Sequence, residues 1–295
     1  MNDSLSSLRS LSIVMSICML ITMGCAAPKQ SGDTTAPASS FESAYRDENS
    51  KYGVFLSYEG PLEDLRDYNI IVIDAQYYDK EEILEFRDSD HFVLSYINVG
   101  SLEDFRDYYD EYKDLALGRY EHWDEEVWID VSNKRWQDFV LNDLAPDLLD
   151  RGIDGLFVDN CDVYYCYNTG EILEGLSDIM RGLKKMSPQV IINGGDTFLD
   201  DYTERLGDQD DVMTGINQES VITSIDWGND TFTTASDDDR EYFEGYIDKY
   251  AAKGALIFLL EYTTDPEAKK EIRRFCEKRG YKYYISDSLE LNFKR

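Results

Sequence analysis

Histidine is nearly absent from this chain of 295 residues, which contains only His91 and His122. Metal-dependent hydrolases of the amidohydrolase type need several imidazole ligands, so this count argues against them. It also leaves little room for a Ser-His-Asp triad. No cluster of ligand-spaced residues indicates a metal, and we expect no cofactor. An enzyme with this composition must use carboxylates for its acid–base chemistry.

Basic residues are also scarce, since 29 lysines and arginines face 60 aspartates and glutamates, a formal net charge of −31. Such a field repels nucleic acid and anionic membrane surfaces and attracts cationic ligands. The sequence therefore excludes nucleic-acid binding, although much of the charge also serves the solubility of a secreted protein. No Gly-x-Gly-x-x-Gly or Walker-type loop is present, which argues against nucleotide binding.

The five cysteines do not form a disulfide framework. Cys18 and Cys25 belong to the first 25 residues, which leaves Cys161, Cys166 and Cys276. An odd number cannot pair completely. The sequence leaves open whether Cys161 and Cys166 pair locally or remain free thiols.

The amino-terminal segment has the pattern of an export signal. Residues 11–24 are apolar over the length of a secretory core and are too short to span a bilayer comfortably. The following LITMGC at 20–25 resembles a bacterial lipoprotein signal, whose cysteine receives the lipid. We therefore predict a signal peptide at 1–24, a lipidated Cys25 with a flexible linker at 25–44, and a folded domain at 45–295.

The signal pattern predicts a protein at the bacterial cell surface that touches the membrane only through the lipid on Cys25. Simple secretion is the alternative. We also expect a monomer.

Beyond the linker, short apolar runs alternate with helical patterns. We predict strands at 52–58, 70–73, 92–97, 154–159, 190–192, 212–216, 255–260 and 281–285. The run 127–131 is set apart as an insertion, and a tyrosine-rich acidic helix is expected at 102–115. Eight strands separated by helices predict a single-domain α/β protein with a (β/α)8 TIM barrel, with a doubly wound open sheet as the alternative.

Polar side chains follow these strands at their carboxyl ends, where such folds place their chemistry. The members are carboxylates, amides and tyrosines, and the candidates are Tyr58, Asp74, Tyr96, Asn98, Asp159, Asn160, Asp162, Asn193, Gln218, Glu219 and Tyr262. This lining is typical of a sugar-cleaving cleft, in which two carboxylates suffice. Any single member could instead cap a loop, so the pattern does not select the two.

Three motifs resemble glycoside hydrolase family 114, the endo-α-1,4-polygalactosaminidase family. They are VLSYINVG at 93–100, GIDGLFVDNCD at 152–162 and GINQES at 215–220, and the resemblance spans about residues 52–290. It implies a TIM barrel that cleaves galactosamine-containing polysaccharides. The family's catalytic aspartate and glutamate fall on Asp159 and Glu219. The segment 224–239 matches no motif of the family.

The resulting hypothesis is a retaining, endo-acting hydrolase with Asp159 as nucleophile and Glu219 as general acid/base, although the roles could be exchanged. Its partner would be a polysaccharide such as a cationic galactosamine polymer. The remaining candidates would bind substrate: Tyr58, Asp74, Tyr96, Asn98, Asn160, Asp162, Asn193, Gln218 and Tyr262. The alternative is a catalytically silent carbohydrate-binding surface lipoprotein, which has no need of both carboxylates.

Overall fold

Eight parallel strands form a ring in the computed structural model, which describes residues 40–87, 90–229 and 231–294. Phe55 on the first strand packs edge-on against Tyr284 on the last, with ring centroids 5.2 Å apart. The strands follow the ring in chain order as β1 (Tyr52–Phe55), β2 (Ile70–Ile73), β3 (Phe92–Asn98), β4 (Gly155–Asp159), β5 (Gln189–Asn193), β6 (Gly215–Glu219), β7 (Leu256–Tyr262) and β8 (Lys282–Ser286). The predicted TIM barrel is confirmed.

Helices connect the strands and cover the outside of the barrel. Thr169 caps the longest by accepting a hydrogen bond from the Ile172 N–H, and the last ends at Gly280, whose φ is +71°. In chain order the helices are α1 (Phe41–Arg46), α2 (Lys80–Arg87), α3 (Tyr109–Tyr112), α4 (Lys134–Phe139), α5 (Ala145–Asp150), α6 (Val163–Cys166), α7 (Gly170–Met186), α8 (Asp196–Arg205), α9 (Asp237–Ala251) and α10 (Pro266–Arg279).

The barrel interior is an apolar core that α1 closes at one end. Phe41, Ala44 and Tyr45 of this helix pack among the inward-facing side chains of the strands. The Tyr45 hydroxyl donates to the Ile257 carbonyl at 3.0 Å and accepts from the Ile257 N–H at 2.9 Å. Phe41 and Ala44 precede the predicted domain boundary at residue 45, and both are buried in this packing. The predicted signal, Cys25 and most of the predicted linker lie outside the described residues.

Two antiparallel additions stand at the carboxyl ends of the barrel strands. The inserted sheet follows β3 and contains Ser101–Glu103, Ala116–Arg119 and Glu126–Ile129. The hairpin follows β6 and contains Thr223–Asp226 and Thr231–Thr234. The prediction that 127–131 lies outside the barrel strands is confirmed.

The helix predicted at 102–115 is wrong over its first half, residues 102–108. Leu102 instead belongs to a strand, where it pairs with Val127 and is buried. Only α3 and a short 3₁₀ turn at Lys113–Leu115 are helical in this stretch. Pairing with a distant strand outweighed the local helical pattern. Within the part of the chain that is described, no helix has the length and apolarity to cross a bilayer.

Gly100 joins β3 to the inserted sheet, and we expect that it tolerates no side chain. A Cβ at this position would lie 1.8 Å from the Asn160 carbonyl oxygen. Gly100→Ala should therefore lower the free energy of unfolding by about 1–3 kcal/mol, measured by urea denaturation. The control is Gly245→Ala within α9, where nothing lies within 4 Å, and it should raise stability by about 0.5–1 kcal/mol. Equal stability of the two variants would contradict the clash.

Candidate active site

A cavity of about 730 Å³ opens at the carboxyl ends of the barrel strands. Asp159 at the end of β4 and Glu219 at the end of β6 both line it. Of the other predicted site residues, the cavity brings together Asp74, Tyr96, Asn160, Asp162, Asn193, Gln218 and Tyr262. Its size lies within the range of ligand sites in proteins.

Asn193 at the end of β5 links the two central carboxylates. Its side-chain Nδ2 donates to Asp159 Oδ1 at 2.9 Å and to Glu219 Oε1 at 2.7 Å. Because one nitrogen reaches both oxygens, these oxygens lie within ~6 Å of each other. The strand order explains the arrangement, since β5 stands between β4 and β6 in the ring.

Further hydrogen bonds from the barrel interior orient the Asn193 amide. Asn217 Nδ2 donates to Asn193 Oδ1 at 2.7 Å, and the Tyr52 hydroxyl donates to Asn217 Oδ1 at 3.1 Å. Since these donors occupy the oxygen side of each amide, the Asn193 NH₂ group must face the carboxylates. Tyr52 and Asn217 are almost completely buried. The sequence analysis missed both residues, although their inward-facing positions on strands were the available signal.

The pKa values of both central carboxyl groups are raised. Burial raises the pKa of Asp159 to about 7, the Asn193 hydrogen bond opposes the rise, and the nearby Glu219 charge adds to it. Burial also raises the pKa of Glu219, against hydrogen bonds from Asn193 and from the Tyr262 hydroxyl at 2.8 Å. Both groups therefore hold a proton to a higher pH than exposed carboxyl groups do.

Two further carboxylates of the cavity have a pKa of about 7. Burial raises the pKa of Asp162, with help from the charges of Asp196 and Asp159. Burial likewise raises the pKa of Glu126, against a hydrogen bond from Ser101. Glu126 belongs to the inserted sheet, and the sequence analysis did not identify it because that stretch was set apart from the barrel.

The cavity wall is strongly acidic. Among its described residues, Arg106 is the one cation, and it is paired with Asp74 at 2.7 Å and with Glu103 at 2.6 Å. Carboxylates supply much of the rest of the lining, namely Glu59, Glu125, Glu126, Asp159, Asp162, Asp196, Glu219 and Glu290. The local potential is therefore negative, which favours a cationic ligand.

Two predicted substrate contacts do not line the cavity. The Tyr58 hydroxyl donates to Asp64 Oδ2 at 2.7 Å, and its ring packs against Phe293. Asn98 is buried below Asn160, whose Nδ2 donates to Asn98 Oδ1 at 3.1 Å. Both side chains therefore contact other protein side chains rather than the cavity.

Four other predicted contacts are engaged with protein groups although they line the cavity. The Tyr96 hydroxyl donates to Glu103, and Asp74 is held by Arg106. Asn160 accepts a hydrogen bond from the Tyr120 hydroxyl at 2.9 Å. Gln218 donates to the backbone carbonyl of Glu219 at 3.0 Å.

The described residues contain no group of three or more His, Cys, Asp or Glu side chains arranged to hold a metal ion. Cys161, Cys166 and Cys276 are free thiols, which decides the pairing that the sequence left open.

Solved structures with the same fold include several enzymes that act on carbohydrates. The glycoside hydrolase domain of PelA from Pseudomonas aeruginosa has a TM-score of 0.70 and 21% identity, over 83% of this chain and 96% of that one. Aspergillus fumigatus Ega3, solved in complex with galactosamine, has a TM-score of 0.64 and 17% identity, over 83% and 93%. An α-galactosidase from Thermus thermophilus has a TM-score of 0.53 and 10% identity, over 83% and 59%.

Curated protein sequences give no significant match to this chain. The model of the glycoside hydrolase family GH114, in contrast, matches residues 32–291. That match covers most of the chain, including both central carboxylates and all eight barrel strands. The chain belongs to glycoside hydrolase family GH114 and is a glycosidase.

Proposed function

We propose that this protein is a retaining, endo-acting hydrolase of galactosamine-containing exopolysaccharide, with Asp159 and Glu219 as its catalytic pair. The observation that carries this proposal is the shared Asn193 donor, which keeps the carboxylate oxygens within ~6 Å. Retaining glycosidases hold their carboxyl groups ~5–5.5 Å apart, whereas inverting ones leave ~6.5–9.5 Å for a water molecule. The galactosamine bound to Ega3 supports this substrate class.

In the proposed reaction, the Asp159 carboxylate attacks the anomeric carbon while Glu219 gives its proton to the leaving glycosidic oxygen. The bond to the leaving sugar breaks, and a glycosyl ester forms on Asp159. Glu219, now ionised, then takes a proton from water as that water attacks the anomeric carbon, and the bond from this carbon to the Asp159 oxygen breaks. Asn193 and Tyr262 hold the two carboxyl groups in place through both steps.

The acidic wall suits a partly deacetylated galactosamine polymer, because free amino groups make such a chain cationic. Several carboxylates without a cationic partner line the cavity at and beyond the central pair. We further propose that the enzyme acts as a monomer at the cell surface, held by a lipid on Cys25 or released by secretion.

Substitution of the catalytic pair tests the roles. Asp159→Asn and Glu219→Gln should each lower kcat by at least ~10²-fold while the melting temperature and circular dichroism stay near wild type. Asp287→Asn is the control, because this exposed carboxylate lies outside the cavity. An Asp159→Asn protein with full activity would refute the assignment.

Azide distinguishes nucleophile from acid/base on an aryl galactosaminide with a good leaving group. Asp159→Ala should give a glycosyl azide of inverted configuration, because azide replaces the nucleophile. Glu219→Ala should give the retained product, because azide attacks the anomeric carbon of the ester and the Asp159 carboxylate leaves. If Asp159→Ala gave the retained azide and Glu219→Ala the inverted one, the two roles would be exchanged. A wild-type product of inverted anomeric configuration would exclude a retaining reaction.

The Asn193 amide should set the pH range of activity. Asn193→Ala removes a hydrogen bond that lowers the pKa of both carboxyl groups, so both pKa values should rise. A nucleophile with a higher pKa ionises only at higher pH, so the acidic limb of kcat/KM should move upward. Tyr52→Phe should cause a smaller shift in the same direction. Exposed Asn168→Ala is the control, and an unmoved limb in Asn193→Ala would contradict this role.

Salt should weaken substrate binding if the acidic wall recognises ammonium groups. Raising NaCl from ~50 to ~500 mM should raise KM for a deacetylated galactosamine polymer several-fold, because ions screen the attraction. The fully N-acetylated polymer is neutral, and its KM should change little. Equal salt dependence for the two polymers would exclude charge as the basis of recognition.

A further inference from the structure

Three aromatic side chains meet across the mouth of the cavity. The His122 ring stacks on the Trp227 indole at 4.3 Å with 1° between the planes, and Trp123 stands edge-on to Trp227 at 6.4 Å. His122 and Trp123 lie between the second and third strands of the inserted sheet, whereas Trp227 lies in the turn of the hairpin. We name these three residues the aromatic clasp.

The clasp joins two additions that arise from distant parts of the barrel. The inserted sheet follows β3 and the hairpin follows β6, with β4 and β5 between them on one side of the ring and four strands on the other. A contact between these additions therefore crosses the mouth. Most of the hairpin lies in the segment 224–239, which matches no motif of the family.

The two indoles remain available to a ligand. Trp123 is 38% exposed and Trp227 is 39% exposed, and both line the cavity. Large apolar rings left open beside so many carboxylates mark a binding surface rather than a core. A pyranose ring presents an apolar face of C–H groups together with polar edges, which matches indole faces surrounded by carboxylates.

The position of Trp227 is fixed relative to the central pair. The buried Glu261 carboxylate accepts hydrogen bonds from the N–H groups of Val221, Ile222 and Thr223, which anchors the base of the hairpin. Phe232 of the hairpin stacks on the Tyr262 ring at 5.8 Å. Since the Tyr262 hydroxyl donates to Glu219, the hairpin and the proposed acid/base share a support.

The other side of the clasp is also held in a specific conformation. His122 has a φ of +70°, in the left-handed region that a non-glycine residue adopts only at an energetic cost. Next to it, Tyr120 stacks on Trp128 at 4.2 Å and donates a hydrogen bond to Asn160. The loop that presents His122 and Trp123 is thereby tied to the residue after Asp159.

We propose that the aromatic clasp is an outer sugar-binding subsite, in which the indoles of Trp123 and Trp227 grip a pyranose residue away from the bond that is cleaved. This inference rests on the proposed function, since it extends the same cavity. A contact remote from the reacting bond strengthens the ground state and the transition state alike, so it acts on KM rather than kcat. Substrates too short to reach the clasp gain nothing from it.

The test compares Trp227→Ala and Trp123→Ala with Tyr165→Ala, a control at an exposed tyrosine that does not line the cavity. On a long galactosamine oligosaccharide, either tryptophan variant should raise KM about tenfold with kcat nearly unchanged. On the shortest cleavable substrate, all variants should match the wild type. His122→Phe keeps a ring against Trp227 and should retain a KM near wild type, whereas His122→Ala should not.

Calorimetric titration of the Glu219→Gln protein with galactosamine and neutral α-linked oligosaccharides separates the two proposals. The wild type could cleave none of these oligosaccharides while Trp227→Ala still weakens the binding of one of them. That result would refute the proposed hydrolase function and support the aromatic clasp as a sugar-binding subsite. If the wild type cleaves a substrate and neither tryptophan variant changes the KM, the clasp is not a sugar-binding subsite, and the proposed hydrolase function is unaffected. Absence of any tryptophan-dependent binding would likewise overturn the clasp.

Discussion

The two hydrogen bonds that the Asn193 NH₂ group donates, one to Asp159 and one to Glu219, are the interaction on which the site depends. A carboxylate that loses hydration is costly to ionise, and donated hydrogen bonds reduce that cost. Burial then raises both pKa values, and the shared donor limits the rise. Both carboxyl groups therefore hold a proton to a higher pH than exposed carboxyl groups do.

The orientation of the Asn193 side chain is fixed from inside the barrel rather than from the loops. Tyr52 and Asn217 place a hydrogen-bonded layer in an otherwise apolar interior, and it spans β1, β6 and β5. Buried polar groups are stable only when their partners are satisfied, so this layer permits one orientation of Asn193. Rigid strands thus fix the central pair, while the inserted sheet and the hairpin shape the cavity above it.

The barrel followed from the sequence because its strands are local patterns, whereas Asp159 and Glu219 were selected from the other strand-end residues only by the resemblance to family 114. Apolar runs such as Leu156–Val158 mark buried strands, and Asp159 stands at the end of one. Glu126 and Trp227 could not be found this way, since contacts between distant segments bring them to the cavity. Tyr58 was placed in the cavity for the opposite reason: it follows a strand, yet its hydroxyl turns to Asp64. Position after a strand gives the right end of the barrel but not the direction of a side chain.

Helix α1 has a consequence for how the enzyme meets a polymer. It packs against the first residues of the barrel strands, including Phe92 of β3 and Ile257 of β7, and so closes the end of the barrel opposite the cavity. Ser40, the N-cap of α1, therefore lies far from the cavity along the barrel axis. Since α1 closes the opposite end of the barrel, it leaves the mouth of the cavity free, and a long chain can enter and leave sideways without meeting this helix.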